Sequence, residues 1–133
     1  MSTGLTLPRR VTAADQYLAL ELNSRLEAAS PHKLVSILYE ELMRALEVAV
    51  RTLATGRPIV AHPQVHRAQS ILMALEASLD FKAGGTLSES LAAVYRSMRK
   101  ELSQAARAGD PGKLSALQNG VESVANAWAA VQA

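Results

Sequence analysis

Residues 109–131, GDPGKLSALQNGVESVANAWAAV, decide the fold. Gly109 reads as a helix stop, Asp110 as the cap of the next helix, and Pro111 as its first-turn residue, where no backbone N–H is needed. Behind this start Leu114, Leu117, Val121, Val124, Trp128 and Val131 recur in alternating steps of three and four. That spacing belongs to a helix packed lengthwise against its neighbours.

Working outward, the preceding segments repeat the pattern. Thr86-Leu87-Ser88-Glu89 reads as a capping box opening a helix that closes at Gly109. Its expected seam is Leu87, Leu91, Val94, Met98, Leu102 (with Glu101 competing) and Ala105. Before it, Pro63 opens a helix to about Phe81 with the seam Val65, Ala68, Leu72, Leu75 and Leu79, ended by Gly84-Gly85. Ser30 and Pro31 start a longer helix running to Leu53 or Ala54, with Gly56 as its stop and Arg57 to His62 as the connection. Thr12 to Glu27 offers an extra short N-terminal helix carrying Tyr17, Leu18, Leu22 and Leu26, and residues 1–11 read as a loose tail. No stretch alternates as a strand. Short loops and three-four seams predict an all-α, antiparallel, up-and-down four-helix bundle in a single domain, with helices over 12–131.

Composition narrows the function classes. The 133 residues suffice for one core, and alanine and leucine dominate a hydrophobic share of 49% in which aromatics contribute only 4%. Cysteine is absent, which removes disulfides, thiolate metal sites and thiol catalysis. No segment approaches the roughly 20 apolar residues of a membrane span, and no secretory signal opens the chain, so a cytoplasmic location without membrane insertion is expected. Fourteen basic residues oppose twelve acidic ones, a formal net charge of +2. They are scattered, without the dense stripe that nucleic-acid phosphates require.

The helix opening at Pro31 departs from the simple pattern. Advancing 100° per residue from Leu34, its apolar residues cover roughly 240° of the circumference, where one core face needs little more than 100°. The polar strip is narrow: Ser36, Glu40, Arg44, Glu47 and Arg51. Either another segment, such as Thr12 to Glu27, covers the surplus, or part of it forms a groove for a partner's apolar helix. The two fit together if a loosely held N-terminal segment yields to the partner.

Catalytic patterns are missing. No Glu has a His three residues after it, as two-metal carboxylate bundles require. His62 and His66 have metal-compatible spacing but sit at a loop–helix junction without a third ligand, and read as solvated. His32 lies in a first turn before bulky Leu34 and Val35, which suits capping better than phosphotransfer. Glu40-Glu41 and Glu76/Asp80 read as ordinary helix faces, not acid–base pairs. No enzymatic activity, cofactor or metal is expected. Two rivals to partner binding remain: a phosphotransfer carrier resting on His32, and a bundle that self-associates through the wide face.

Several stretches resemble one family. Ala29-Ser30-Pro31-His32-Lys33-Leu34 followed by Leu38-Tyr39-Glu40 is similar to the A-S-P-x-x-L-x-x-x-L-Y-[DE] opening of FliS, the flagellar export chaperones. Leu75 to Asp80 resembles the family's L-x-x-S-L-D, and Gly84-Gly85-Thr86-Leu87 through Leu91, Tyr95 and Met98 resembles G-G-x-L-x-x-x-L-x-x-x-Y-x-x-M. The likeness runs from about Tyr17 to Trp128. Departures are Glu40-Glu41, where many relatives have Asp-Gly, and Ser97, where a second tyrosine is usual.

The resemblance implies a cytoplasmic chaperone that binds the disordered C-terminal segment of flagellin, prevents its early polymerisation and delivers it to a component of the flagellar type III export gate. The free state is left open between monomer and weak homodimer. Partner-binding candidates are Val35, Tyr39, Leu42, Leu46, Val50, Ile71, Met73 and Tyr95, with Leu42 and Leu46 equally suited to the core. Tyr17 is a candidate displaceable cover. Ser30, Pro31, Asp80, Gly84 and Gly85 match the motifs and read as helix ends and turns.

Overall fold

A computed structural model describes Ala13 and residues 31–130. Its contacts divide the chain into Met1–Leu34 and Val35–Ala133. Of the first unit, only exposed, helical Ala13 and the opening of the first described helix fall among these residues. The expected helix over Thr12 to Glu27, the tail over 1–11, and Tyr17 lie outside them, Ala13 excepted.

Residues 31–130 form four helices, and the described residues contain no strand: α1 (Pro31–Ala54), α2 (Pro63–Ala77), α3 (Phe81–Ala108) and α4 (Pro111–Ala130). Hydrogen bonds define how they run. Gln69 Nε2 on α2 donates to the Arg99 carbonyl and to Ser103 Oγ on α3. Seven residues further along α2, Glu76 accepts from Arg96 and Arg99, earlier on α3. A partner that retreats as the helix advances means α2 and α3 are antiparallel. Between α1 and α3, by contrast, Tyr39 meets Tyr95, and Leu53 approaches Gly109 near the far end, so these two run parallel. α4 packs on α3 after a connection of only Gly109 and Asp110 and must double back. The order is the up-and-down topology expected from short loops.

One apolar cluster lies at the centre of the second unit, with Leu42 and Leu46 from α1, Leu72 and Leu75 from α2, Leu102 from α3, and Leu114 and Val121 from α4. Each of these is fully or almost fully removed from solvent. Burial of such a side chain is worth about 1.5–3 kcal/mol relative to exposure, so this cluster is the main source of stability. Ile59, in the connection between α1 and α2, is 1% exposed and joins it, although its segment reads as a plain loop.

The junction of α2 and α3 differs from the sequence expectation. α2 ends at Ala77, not near Phe81, and α3 begins at Phe81. The cause is Asp80, whose carboxylate accepts from the backbone N–H groups of Lys82 and Ala83, both at 3.0 Å. This N-cap takes the role assigned to the Thr86–Glu89 box. Gly84-Gly85 is therefore not a helix stop but an interruption inside α3, with Gly85 at φ 51°, ψ −126°.

The bend shifts the seam of α3. Ser88, Ala92, Tyr95, Met98, Leu102, Ala105 and Ala106 are buried, while Leu91 and Val94 are half-buried. Leu87, expected to lead the seam, is 67% exposed. Ser88 takes the inward position because its hydroxyl donates to the Asp80 carbonyl at 2.9 Å.

Candidate functional site

α1 carries the surface in question. Within Val35–Leu53, only Glu40, Arg44, Glu47 and Arg51 are exposed, and at 100° per residue they occupy an arc of roughly 60°. Ile37, Tyr39, Leu42, Ala45, Leu46 and Ala49 are buried. Val35, Leu38, Met43, Val48, Val50 and Leu53 are half-buried and form the flanks. The strip is electrically balanced, and Glu41 beside it accepts from Arg44 at 3.0 Å and from Arg67 of α2 at 2.8 Å.

The candidate residues divide by accessibility. Leu42 and Leu46 are 0% exposed and lie in the core. Ile71, Tyr39 and Tyr95 are buried as well. Val35 and Val50 are half-buried, and Met73 on α2 is 59% exposed. Beyond these, Val60, Phe81 and Leu87 are exposed large apolar side chains that periodicity did not single out as a surface. Phe81 and Leu87 bracket the Gly84-Gly85 interruption, and only the helix break between them signals that the seam restarts.

Tyr39 and Tyr95 are the polar feature inside this apolar region. Their hydroxyls meet at 2.5 Å, joining α1 to α3. Burial pushes the Tyr39 phenol well above its ordinary value, and its hydrogen bond with Tyr95 adds to the rise. Burial raises Tyr95 too, partly offset by the same hydrogen bond. Both are neutral hydroxyls under ordinary conditions.

Three other titratable side chains, Glu76, Asp80 and His62, have structural work. Glu76 bridges to Arg99 at 2.6 Å and to Arg96 at 2.8 Å, and these guanidiniums, Arg99 foremost, hold its carboxyl below the usual carboxylate range. Asp80 caps α3. His62 caps α2, its Nδ1 accepting from the Gln64 backbone N–H at 3.0 Å. Among the described residues, no three His, Cys, Asp or Glu side chains gather in a way that could hold a metal ion. No helix among them is long and apolar enough to cross a membrane. The arrangement offers apolar contact area on the flanks of a narrow charged strip.

A family model described as flagellar protein FliS matches residues 13–133, almost the whole chain. The chain belongs to the FliS family. It is 27% identical over 112 residues to the flagellar secretion chaperone FliS of Vibrio cholerae serotype O1, covering 84% of this chain and 82% of that one. It is 27% identical over 113 residues to the flagellar secretion chaperone FliS of Salmonella typhimurium LT2, covering 84% of each. Secretion chaperones, as the FliS relatives are named, are not an enzyme class.

Proposed function

We propose that this chain is a flagellar secretion chaperone that binds the disordered C-terminal segment of flagellin in the cytoplasm. It holds that segment back from polymerisation and delivers it to a component of the flagellar type III export gate. The observation that carries this reading is the family match over residues 13–133, joined by relatives named as flagellar secretion chaperones.

The physics of α1 supports it. A disordered segment that folds on binding gains affinity from apolar contact spread along a surface, offset by the cost of ordering it. Such binding needs no bond chemistry and reverses without an energy-consuming step on the chaperone. Met73, Val35 and Val50 make the first contacts, because they are the candidates with accessible surface. Tyr39, Leu42, Leu46, Ile71 and Tyr95 form the floor that holds them in position, and Tyr17 serves as a cover that the partner displaces.

Mixing the full chain with flagellin and measuring the mass of the complex tests the reading. One chaperone per flagellin is expected, with no complex when the flagellin lacks its C-terminal segment. A complex that survives this truncation contradicts the assigned partner segment.

A further inference from the structure

We propose that the buried Tyr39–Tyr95 hydroxyl pair is a register lock, fixing how α1 is rotated and where it stands along α3. The need arises from the wide apolar face of α1. Apolar burial is non-directional, and a helix that is apolar around most of its circumference loses little of it when it rotates or slides by a turn. Packing alone therefore selects the position of α1 weakly. The ion pair from Glu41 to Arg67 adds little selection, since Arg67 is 42% exposed and solvent screens the attraction.

The hydroxyl pair is directional where the packing is not. Tyr39 and Tyr95 are 4% and 3% exposed, and their oxygens lie 2.5 Å apart. The two residues are 56 apart in sequence, as are Leu53 and Gly109 (109 − 53). A Cβ on Gly109 would stand 4.0 Å from Leu53 Cδ1. The same offset at both places holds α1 and α3 in one parallel register over four turns, roughly 21 Å.

Maximal stability is not what this pair provides. Two buried hydroxyls carry two hydrogens, and the single bond between them uses one. Burying a hydroxyl costs free energy that a hydrogen bond only partly returns, so apolar residues of the same shape can be as stable. Any slip of α1, however, separates the oxygens and leaves both buried without a partner. The penalty falls on the wrong registers, as it does with a polar residue set in a coiled-coil seam.

The test uses the free, full-length chain with Tyr39→Phe, Tyr95→Phe and the double variant, so its outcome is independent of whether flagellin binds. The double variant is expected to remain helical with a melting temperature near that of the parent. Its α1 amides should exchange with solvent about five- to tenfold faster, the factor that loss of one buried hydrogen bond allows. Each single variant, stranding one hydroxyl, should melt below both. An unchanged α1 exchange rate in the double variant, or single-variant effects that simply add in the double, overturns the proposal.

Discussion

Gly84, Gly85, Ser88 and Asp80 form one small device with separable parts. The Asp80 carbonyl accepts from Gly84 N–H at 2.8 Å and from the Ser88 hydroxyl at 2.9 Å. A Cβ on Gly84 would lie 1.9 Å from Ser88 Oγ, so a side chain there forces the Ser88 hydroxyl to shift from its place on the Asp80 carbonyl. The second glycine is required by its backbone, since φ 51° with ψ −126° is open to glycine and costly for other residues. Gly85→Ala should therefore lower stability by about 1–3 kcal/mol in urea unfolding. A loss below the error of that measurement would contradict the strained backbone. The tyrosine pair gives a second prediction at this scale. Folded values above the ordinary phenol value of 10.0 favour the neutral forms in the fold. Their contribution to stability is whole below pH of about 10 and is lost as the pH rises further. The tyrosinate absorbance that separates the parent from the Tyr39→Phe/Tyr95→Phe variant should appear only as helical circular dichroism disappears. A smooth rise centred near pH 10 in a chain that is still folded would refute burial of the pair.

At the level of elements, α3 separates buried from exposed leucines in a way that mutation can read. Leu102 is fully buried and Leu87 mostly exposed. Leu102→Ala should cost about 2–5 kcal/mol, and Leu87→Ala should stay within about 0.5 kcal/mol. Equal losses in equilibrium unfolding would restore the seam that begins at Leu87. Much of the bundle was legible before its geometry. The exposed strip of α1 is Glu40, Arg44, Glu47 and Arg51, four of the five residues that periodicity named, with Ser36 partly covered. The seam of α2 was likewise readable from Val65 to Leu75, but Ile71 is buried beside it and Leu79, expected to end it, is half-buried beyond the helix end at Ala77. What escaped were places where one polar contact outweighs a pattern. Asp80 caps α3 six residues before Thr86, and no periodicity distinguishes a glycine pair that ends a helix from one that bends it. Ile59 escaped because Ile59-Val60-Ala61, in a six-residue connection, is too short a run to have a period that says which residue turns inward. The candidate site was legible as a face, since counting apolar positions finds surplus area. It was not legible residue by residue, because Tyr39, Leu42 and Leu46 share that face and point into the core.

For the molecule as a whole, family membership and the wide face of α1 converge on an account in which contact area, not chemistry, does the work. Met73 is the most accessible of the proposed contacts. Met73→Glu should leave the melting temperature unchanged while weakening flagellin binding by about tenfold, the loss expected when a contacting apolar side chain becomes charged. Unaltered affinity would move the contact surface away from α2. His32→Ala should leave binding intact, whereas abolished function would return the phosphotransfer reading to consideration. The central claim is that a disordered flagellin segment folds onto this surface, and calorimetric titration of the folded chain with the C-terminal segment of its own organism's flagellin tests it most directly. The account predicts a one-to-one complex whose enthalpy falls steeply with temperature, the negative heat-capacity change of buried apolar surface. Absence of heat at several temperatures, with the chain shown to be folded, would contradict it.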